Sequence, residues 1–190
     1  MSSRVTLELI KHYLEKFGWD RYASIGESTE KEGLVITGWQ SSSDSEKYGL
    51  FIDPVVEKGV LLFRVPEVFN LSDSEKLEDL LKALNFINHR IILGKFTYDP
   101  VSCKVAFSLN VSIQGGTVTY EQFQHCLLAT IITVEKHAQK LREIAEGKKN
   151  ADEFISDEIK EEVTTNLSYL EQIFKGMVKG TEEKEKTNLH

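Results

Sequence analysis

The sequence is poor in the residues that mark several large functional classes. It holds only two cysteines in 190 residues, Cys103 and Cys126, too few for a disulfide scaffold or a cysteine-rich zinc site. It lacks a basic face. Lys148-Lys149 is the only adjacent basic pair, acidic residues surround it, and the net charge is −7. Phosphate binding needs concentrated positive charge, so nucleic acid is not an expected partner. No apolar run approaches the roughly 20 residues of a membrane-spanning helix. Met1-Ser2-Ser3-Arg4 leads into an amphipathic pattern rather than a signal-peptide core, which gives a cytoplasmic expectation. Gly115-Gly116 has no following Lys-Ser or Lys-Thr, so it is a turn and not a phosphate loop. His12, His89 and His137 have no partner at metal-ligand spacing, and neither a metal nor a cofactor is expected.

What is present is pattern. Hydrophobic residues make up 41% and charged residues 28%, as in an ordinary globular protein. Ser72-Asp73-Ser74-Glu75 reads as a capping box, and Leu77, Leu80, Leu81, Leu84 and Ile87 follow at helical spacing. From Cys103 the period changes to two. Cys103, Val105, Phe107, Leu109, Val111 and Ile113 point one way, and the intervening polar residues point the other. Gly94, Phe96 and Tyr98 mark the strand before it, and Asp99-Pro100-Val101-Ser102 is the turn between the two.

Around this centre the reading gives a first helix over 3–17 closed by Gly18, a weak strand over 22–28 and a strand over 33–39. A polar loop over 40–47 has no apolar anchor and is expected to be mobile. Strands over 48–56 and 60–65 flank a turn at Glu57-Lys58-Gly59, and Pro66 ends the second. Thr119-Tyr120-Glu121-Gln122 is a second capping box, with Val118 and Phe123 at the staple positions. A long helix with the stripe Phe123, Leu127, Thr130, Ile131, Val134, Ala138 and Leu141 runs to Gly147. Another runs over 151–178, and 179–190 is expected to be a disordered tail. The order α-β-β-β-β-α-β-β-α-α describes an α+β fold, an antiparallel sheet flanked by helices. It divides into a domain over 1–147, an amphipathic helix over 148–178 and the tail.

With that order in view, the chain resembles the bacterial YbjN-like family, whose fold is that of type III secretion chaperones. The resemblance covers roughly residues 4 to 147. It rests on Leu81-Lys82-Ala83-Leu84-Asn85-Phe86-Ile87-Asn88, on Gly94-Lys95-Phe96-Thr97-Tyr98-Asp99, on Val105 to Leu109, on the capped helix from Thr119 and on an opening helix that closes on Phe17-Gly18-Trp19. It implies an acidic, often dimeric, non-enzymatic protein with a regulatory or chaperone-like role, possible polypeptide clients included.

The residues themselves offer little chemistry. His125 and Cys126 are neighbours on a helix and diverge by about 100°, so they do not form a nucleophile and base. Cys126 and Cys103 both read as inert core thiols. Asn85 and Asn88 read as local caps of their helix end. Trp39 ends a strand beside the serine loop and Tyr48 opens the next. These two are the expected partner-binding residues, given the enrichment of tryptophan at interfaces. Ile159, Val163, Leu167, Leu170 and Phe174 form the expected homodimer interface, because a long apolar stripe must be covered. The leading expectation is therefore a non-enzymatic protein-binding module. The alternative is a small-ligand sensor or enzyme with a polar pocket between sheet and helices, near His89, Arg90 or Arg64.

Overall fold

The computed structural model describes residues 3–26, 33–42, 45–55, 58–71 and 74–187. The chain divides into two units, Met1–Lys149 and Asn150–His190. The first unit is built on a six-stranded antiparallel sheet. Its strands are β2 (Ala23–Ile25), β3 (Leu34–Gln40), β4 (Lys47–Val55), β5 (Val60–Asn70), β6 (Lys95–Asp99) and β7 (Lys104–Ser112), in the order β2-β3-β4-β5-β7-β6. Two short strands, β1 (Ser3–Arg4) and β8 (Thr117–Val118), pair separately. Helices α1 (Leu7–Phe17), α2 (Leu77–Arg90) and α3 (Tyr120–Ala145) complete it. This is the α+β class with an antiparallel sheet that the alternation in β7 and the helical stripes require.

The core lies between one face of the sheet and the three helices. Leu50 and Ile52 of β4, Leu61, Phe63 and Val65 of β5, Phe96 of β6 and Phe107 and Leu109 of β7 are buried on that face. Opposite them lie Ile10 and Leu14, Leu80 and Ala83, and Phe123, Leu127 and Val134. Each large side chain removed from water contributes about 1.5–3 kcal/mol. Phe63 and Phe123 meet with ring centroids 5.5 Å apart, and Phe96 and Phe107 at 4.9 Å.

Local signals place the helix ends. Gly18 closes α1 at φ 93°, and the capping box at Thr119 and Gln122 forms with both bonds present. Gly59 takes φ 63° in the turn into β5. Val118 and Phe123 are both buried, as a staple requires.

Several expectations are corrected. The first helix starts at Leu7, not at residue 3. Thr6 caps it by accepting from Leu9 N at 3.2 Å, and Ser3–Arg4 is drawn into pairing with β8. β5 runs past Pro66 to Asn70, because the register shifts between Val65 and Phe69 and no ladder bond is asked of the proline there. Helix α2 begins at Leu77 after a 3₁₀ turn over Ser74–Lys76, and Ser72 and Asp73 of the expected capping box lie outside the described residues. Leu81 is 46% exposed, because the buried stripe centres on Leu80, Ala83, Leu84 and Ile87. Cys103 is exposed in a turn at φ 56°, and β7 begins one residue later, so this thiol is not in the core. The polar loop over 40–47 has an anchor. Ser41 is buried and its Oγ donates to Glu135 Oε2 at 2.8 Å. Ser43 and Asp44 lie outside the described residues.

The second unit is one helix, α4 (Ala151–Thr187). Asn150 and Glu153 cap it reciprocally, with Glu153 N donating to Asn150 Oδ1 at 2.9 Å and Asn150 N to Glu153 Oε2 at 3.1 Å. Ala151 and Phe154 are buried, whereas Ile159, Val163, Leu167 and Leu170 are 42–56% exposed. The side chain of Phe174 lies outside the described residues. The backbone stays helical to Thr187, past residue 178, the expected end of this helix, and into the expected tail. A glycine in a helix interior costs only about 1 kcal/mol, so Gly180 does not stop it.

Candidate interaction site

The two faces of the sheet differ in what covers them. The inner face carries the helices. The outer face is read directly from the register, because residues opposite one another share a face. Ala23 stands opposite Ile36, Ile36 opposite Phe51, Phe51 opposite Arg64, Arg64 opposite Ser108, and Ser108 opposite Lys95. One row thus crosses all six strands, aliphatic and aromatic at the β3–β4 side and cationic at the β6 side. Ile25 and Leu34 pair beside it, and Asp53 and Leu62 pair on the next row. Ile36, Phe51 and Leu62 are half-exposed and Ile25 is 61% exposed. Such a run of apolar side chains on an exposed face marks an interaction surface more often than an ordinary solvated one.

The charges on this face are mostly settled locally. Lys104 pairs with Glu67 and holds its carboxyl below the usual range. Asp99 accepts from Ser102 Oγ at 2.6 Å and from Val101 N at 3.0 Å, and these bonds lower its pKa. Burial pushes the Asp53 carboxyl up. The Arg64 guanidinium adds a smaller contribution to the lowering of Asp99. A cleft of about 410 Å³ opens beside Arg64, floored by Phe51, Pro66 and Ala106 and rimmed by Thr97, Asp99 and Lys104.

At the other end of the sheet, Trp39 and Tyr48 form a cross-strand pair with ring centroids 5.2 Å apart. The Trp39 indole N–H donates to Glu135 Oε1 at 2.7 Å, and Tyr48 is 3% exposed. Both Glu135 oxygens therefore tie the β3–β4 hairpin to α3. A shallow concavity of about 380 Å³ is lined by these two residues and their strand neighbours from Thr37 to Gln40 and Lys47 to Gly49.

The structure separates the other residues weighed from sequence. His125 is exposed and Cys126 buried, so they point apart, and burial pushes the Cys126 thiol up. His12 and His89 are exposed, whereas His137 is buried on α3 with its ring 6.2 Å from Phe96. Arg90 lies over the Phe86 ring at 3.9 Å. His89, Arg90 and Arg64 thus do not converge between sheet and helices, where Phe63, Phe96, Phe107 and Phe123 fill the space. Among the described residues, no three His, Cys, Asp or Glu side chains are grouped to hold a metal ion. No helix among them is long and apolar enough to cross a membrane.

Asn88 is corrected. It does not cap its own helix, which closes through Ile91. Its side-chain amide donates to Phe96 O and its oxygen accepts from Phe96 N, both at 2.8 Å. It therefore acts as a one-residue partner strand on the free edge of β6. The eight-residue separation of Asn88 and Phe96 was visible in sequence, but the fold-back that joins them was not.

Against this geometry the comparisons decide the family. The model of the YbjN family, described as "Putative bacterial sensory transduction regulator", matches residues 6–143. The chain belongs to the YbjN family. That match covers the sheet and α1 to α3 and leaves α4 outside it. No curated protein matches this YbjN chain. A solved structure described as the crystal structure of the ExsC–ExsE complex holds a similar chain, 18% identical with a TM-score of 0.48. The match covers 70% of this chain and 91% of that one.

Proposed function

We propose that this YbjN-family protein is a non-enzymatic protein-binding module of regulatory or chaperone-like character, working as a homodimer in the cytoplasm and contacting a polypeptide through the outer face of its sheet. The observation that carries the reading is the outer-face row from Ile36 through Phe51 to Arg64. It pairs half-exposed apolar side chains with an exposed guanidinium, the combination that anchors protein interfaces. The apolar packing between sheet and helices supports binding at a surface over chemistry in an interior pocket. In this reading Trp39, backed by Tyr48, offers a second contact at the hairpin end. The exposed stripe of Ile159, Val163, Leu167 and Leu170, continued by Phe174, is the self-association surface.

Affinity recovery from the native host tests it. The wild-type chain and a Phe51→Asp variant are compared after both are shown to melt alike. Partners held by the wild type are expected to be lost on the variant, since a carboxylate there cannot be buried without cost. Equal recovery on both would reject the outer face as the binding surface.

A further inference from the structure

We infer that the polypeptide taken by the outer sheet face is an acidic segment that sets one large apolar side chain over Gly38 and Gly49 and a carboxylate beside Arg64. This rests on the reading above and names the chemistry of the partner. Residues two apart on a strand share a face, so Gln40 and Lys47, Gly38 and Gly49, and Ile36 and Phe51 are successive cross-strand pairs on the outer face of β3 and β4. The middle pair carries no side chains. It leaves a gap of about 14 Å along β4 between Lys47 and Phe51, and the concavity of about 380 Å³ lies there. The two glycines differ in cause. A Cβ on Gly38 would stand 2.4 Å from Tyr48 O, so the neighbouring strand forbids one. A Cβ on Gly49 would meet no heavy atom within 4 Å beyond its chain neighbours, and its φ is not left-handed. Packing thus does not require Gly49, and glycine weakens the interior of a strand. Such a glycine marks a place where another chain approaches the backbone closely.

Charge supplies the second half of the partner. Arg64 stands directly opposite Phe51. One strand spacing combined with two residues of rise puts it about 8 Å from Gly49. Side chains two apart on an extended segment are about 7 Å apart, so a large apolar residue and an acid at that spacing reach both places. Lys104 shares the cleft of about 410 Å³ with Arg64, and Lys47 and Lys95 are exposed on the same face. Of the acids there, Glu67 is held by Lys104 and Asn70, and Asp99 by Ser102 and Val101 N. Burial disfavours charge on Asp53. These four cations outnumber the three acids, in a chain with 30 Asp and Glu against 23 Lys and Arg. An acidic segment is therefore attracted to this face and repelled by the net charge of the chain, which fixes where it docks.

An array of randomised peptides, probed with the full wild-type chain, tests this. The strongest binders are expected to carry Phe, Trp or Leu two positions from Asp or Glu. Made as soluble peptides, they should bind a Gly49→Val chain at least about tenfold more weakly, because its side chain fills the gap. That variant should nevertheless melt at or above wild type, since a β-branched residue suits a strand. Arg64→Glu should also weaken binding about tenfold and recover to within about threefold when the peptide acid is changed to Lys, as charge swaps across a direct contact do. A Gly49→Val chain that binds as tightly as wild type overturns the inference. So does one that melts well below wild type, which would make Gly49 a need of the fold, and so do strongest binders without an acid. In each of these cases, loss of the same peptides on Phe51→Asp leaves the outer-face reading standing. An array that the wild type does not bind, or peptides held equally by Phe51→Asp, overturns both. Loss of self-association by Gly49→Val in sedimentation, with peptide binding intact, would seat a second copy in the gap and overturn the inference.

Discussion

Asn88→Ala tests whether the free edge of β6 is closed by a side chain. The substitution leaves the N–H and C=O of Phe96 without the partner each now has at 2.8 Å. Phe96 is 1% exposed, so water reaches its backbone poorly. Each lost bond between neutral groups is worth about 0.5–1.5 kcal/mol net, and a stranded buried polar group costs about 1–3 kcal/mol. The site is half-buried and some hydration is recovered, so the expected loss is about 2 kcal/mol. For a chain of this length that is a fall in Tm of about 4–8 °C. Urea denaturation followed by the fluorescence of Trp19 and Trp39 measures it. Asn85→Ala is the control, because Asn85 is exposed on the same helix and should change stability by less than about 0.5 kcal/mol. If Asn88→Ala behaves like Asn85→Ala, the paired bonds do not hold the edge. The variant should also aggregate more readily, since an unpaired strand edge is a template for another strand.

Three further outcomes are expected. Under native conditions a thiol reagent should label the exposed Cys103 quickly and Cys126 slowly, because burial holds the latter protonated; two equally fast thiols would contradict the packing of α3. Leu84→Ala should cost about 2–5 kcal/mol by denaturant titration, as Leu84 is 4% exposed; a change under about 0.5 kcal/mol would misplace the buried face of α2. Asp53 has a folded-state pKa raised by burial, so its contribution to stability is greatest below its unfolded pKa and is lost as pH rises through the folded one. Asp53→Asn should therefore melt no lower than wild type at neutral pH and lose that advantage in acid, and a variant destabilised at neutral pH would refute the assignment.

How much of this could be read before the fold was known depends on the range of each signal. Period-two alternation from Val105 to Val111, the Thr119 capping box and the αL glycines at Gly18 and Gly59 are decided within a few residues. Sequence alone determined them, and with them the α+β class. The positions it misplaced were those where a distant partner outweighs local preference. Ser3–Arg4 leaves a helix pattern because β8 offers it a strand partner. Pro66 sits inside a strand because the register shifts there. Ser41 anchors a loop that looked free because Glu135 lies across from it on α3. Asn88 serves β6 instead of its own helix because α2 and β6 fold back on each other. The candidate interaction face belongs to the same class. Ile36, Phe51, Arg64 and Lys95 lie on four separate strands, and no spacing along the chain relates them. Only the antiparallel register brings them into one row, because hydrogen bonding between strands sets which residues share a face, while the chain sets only which residues alternate.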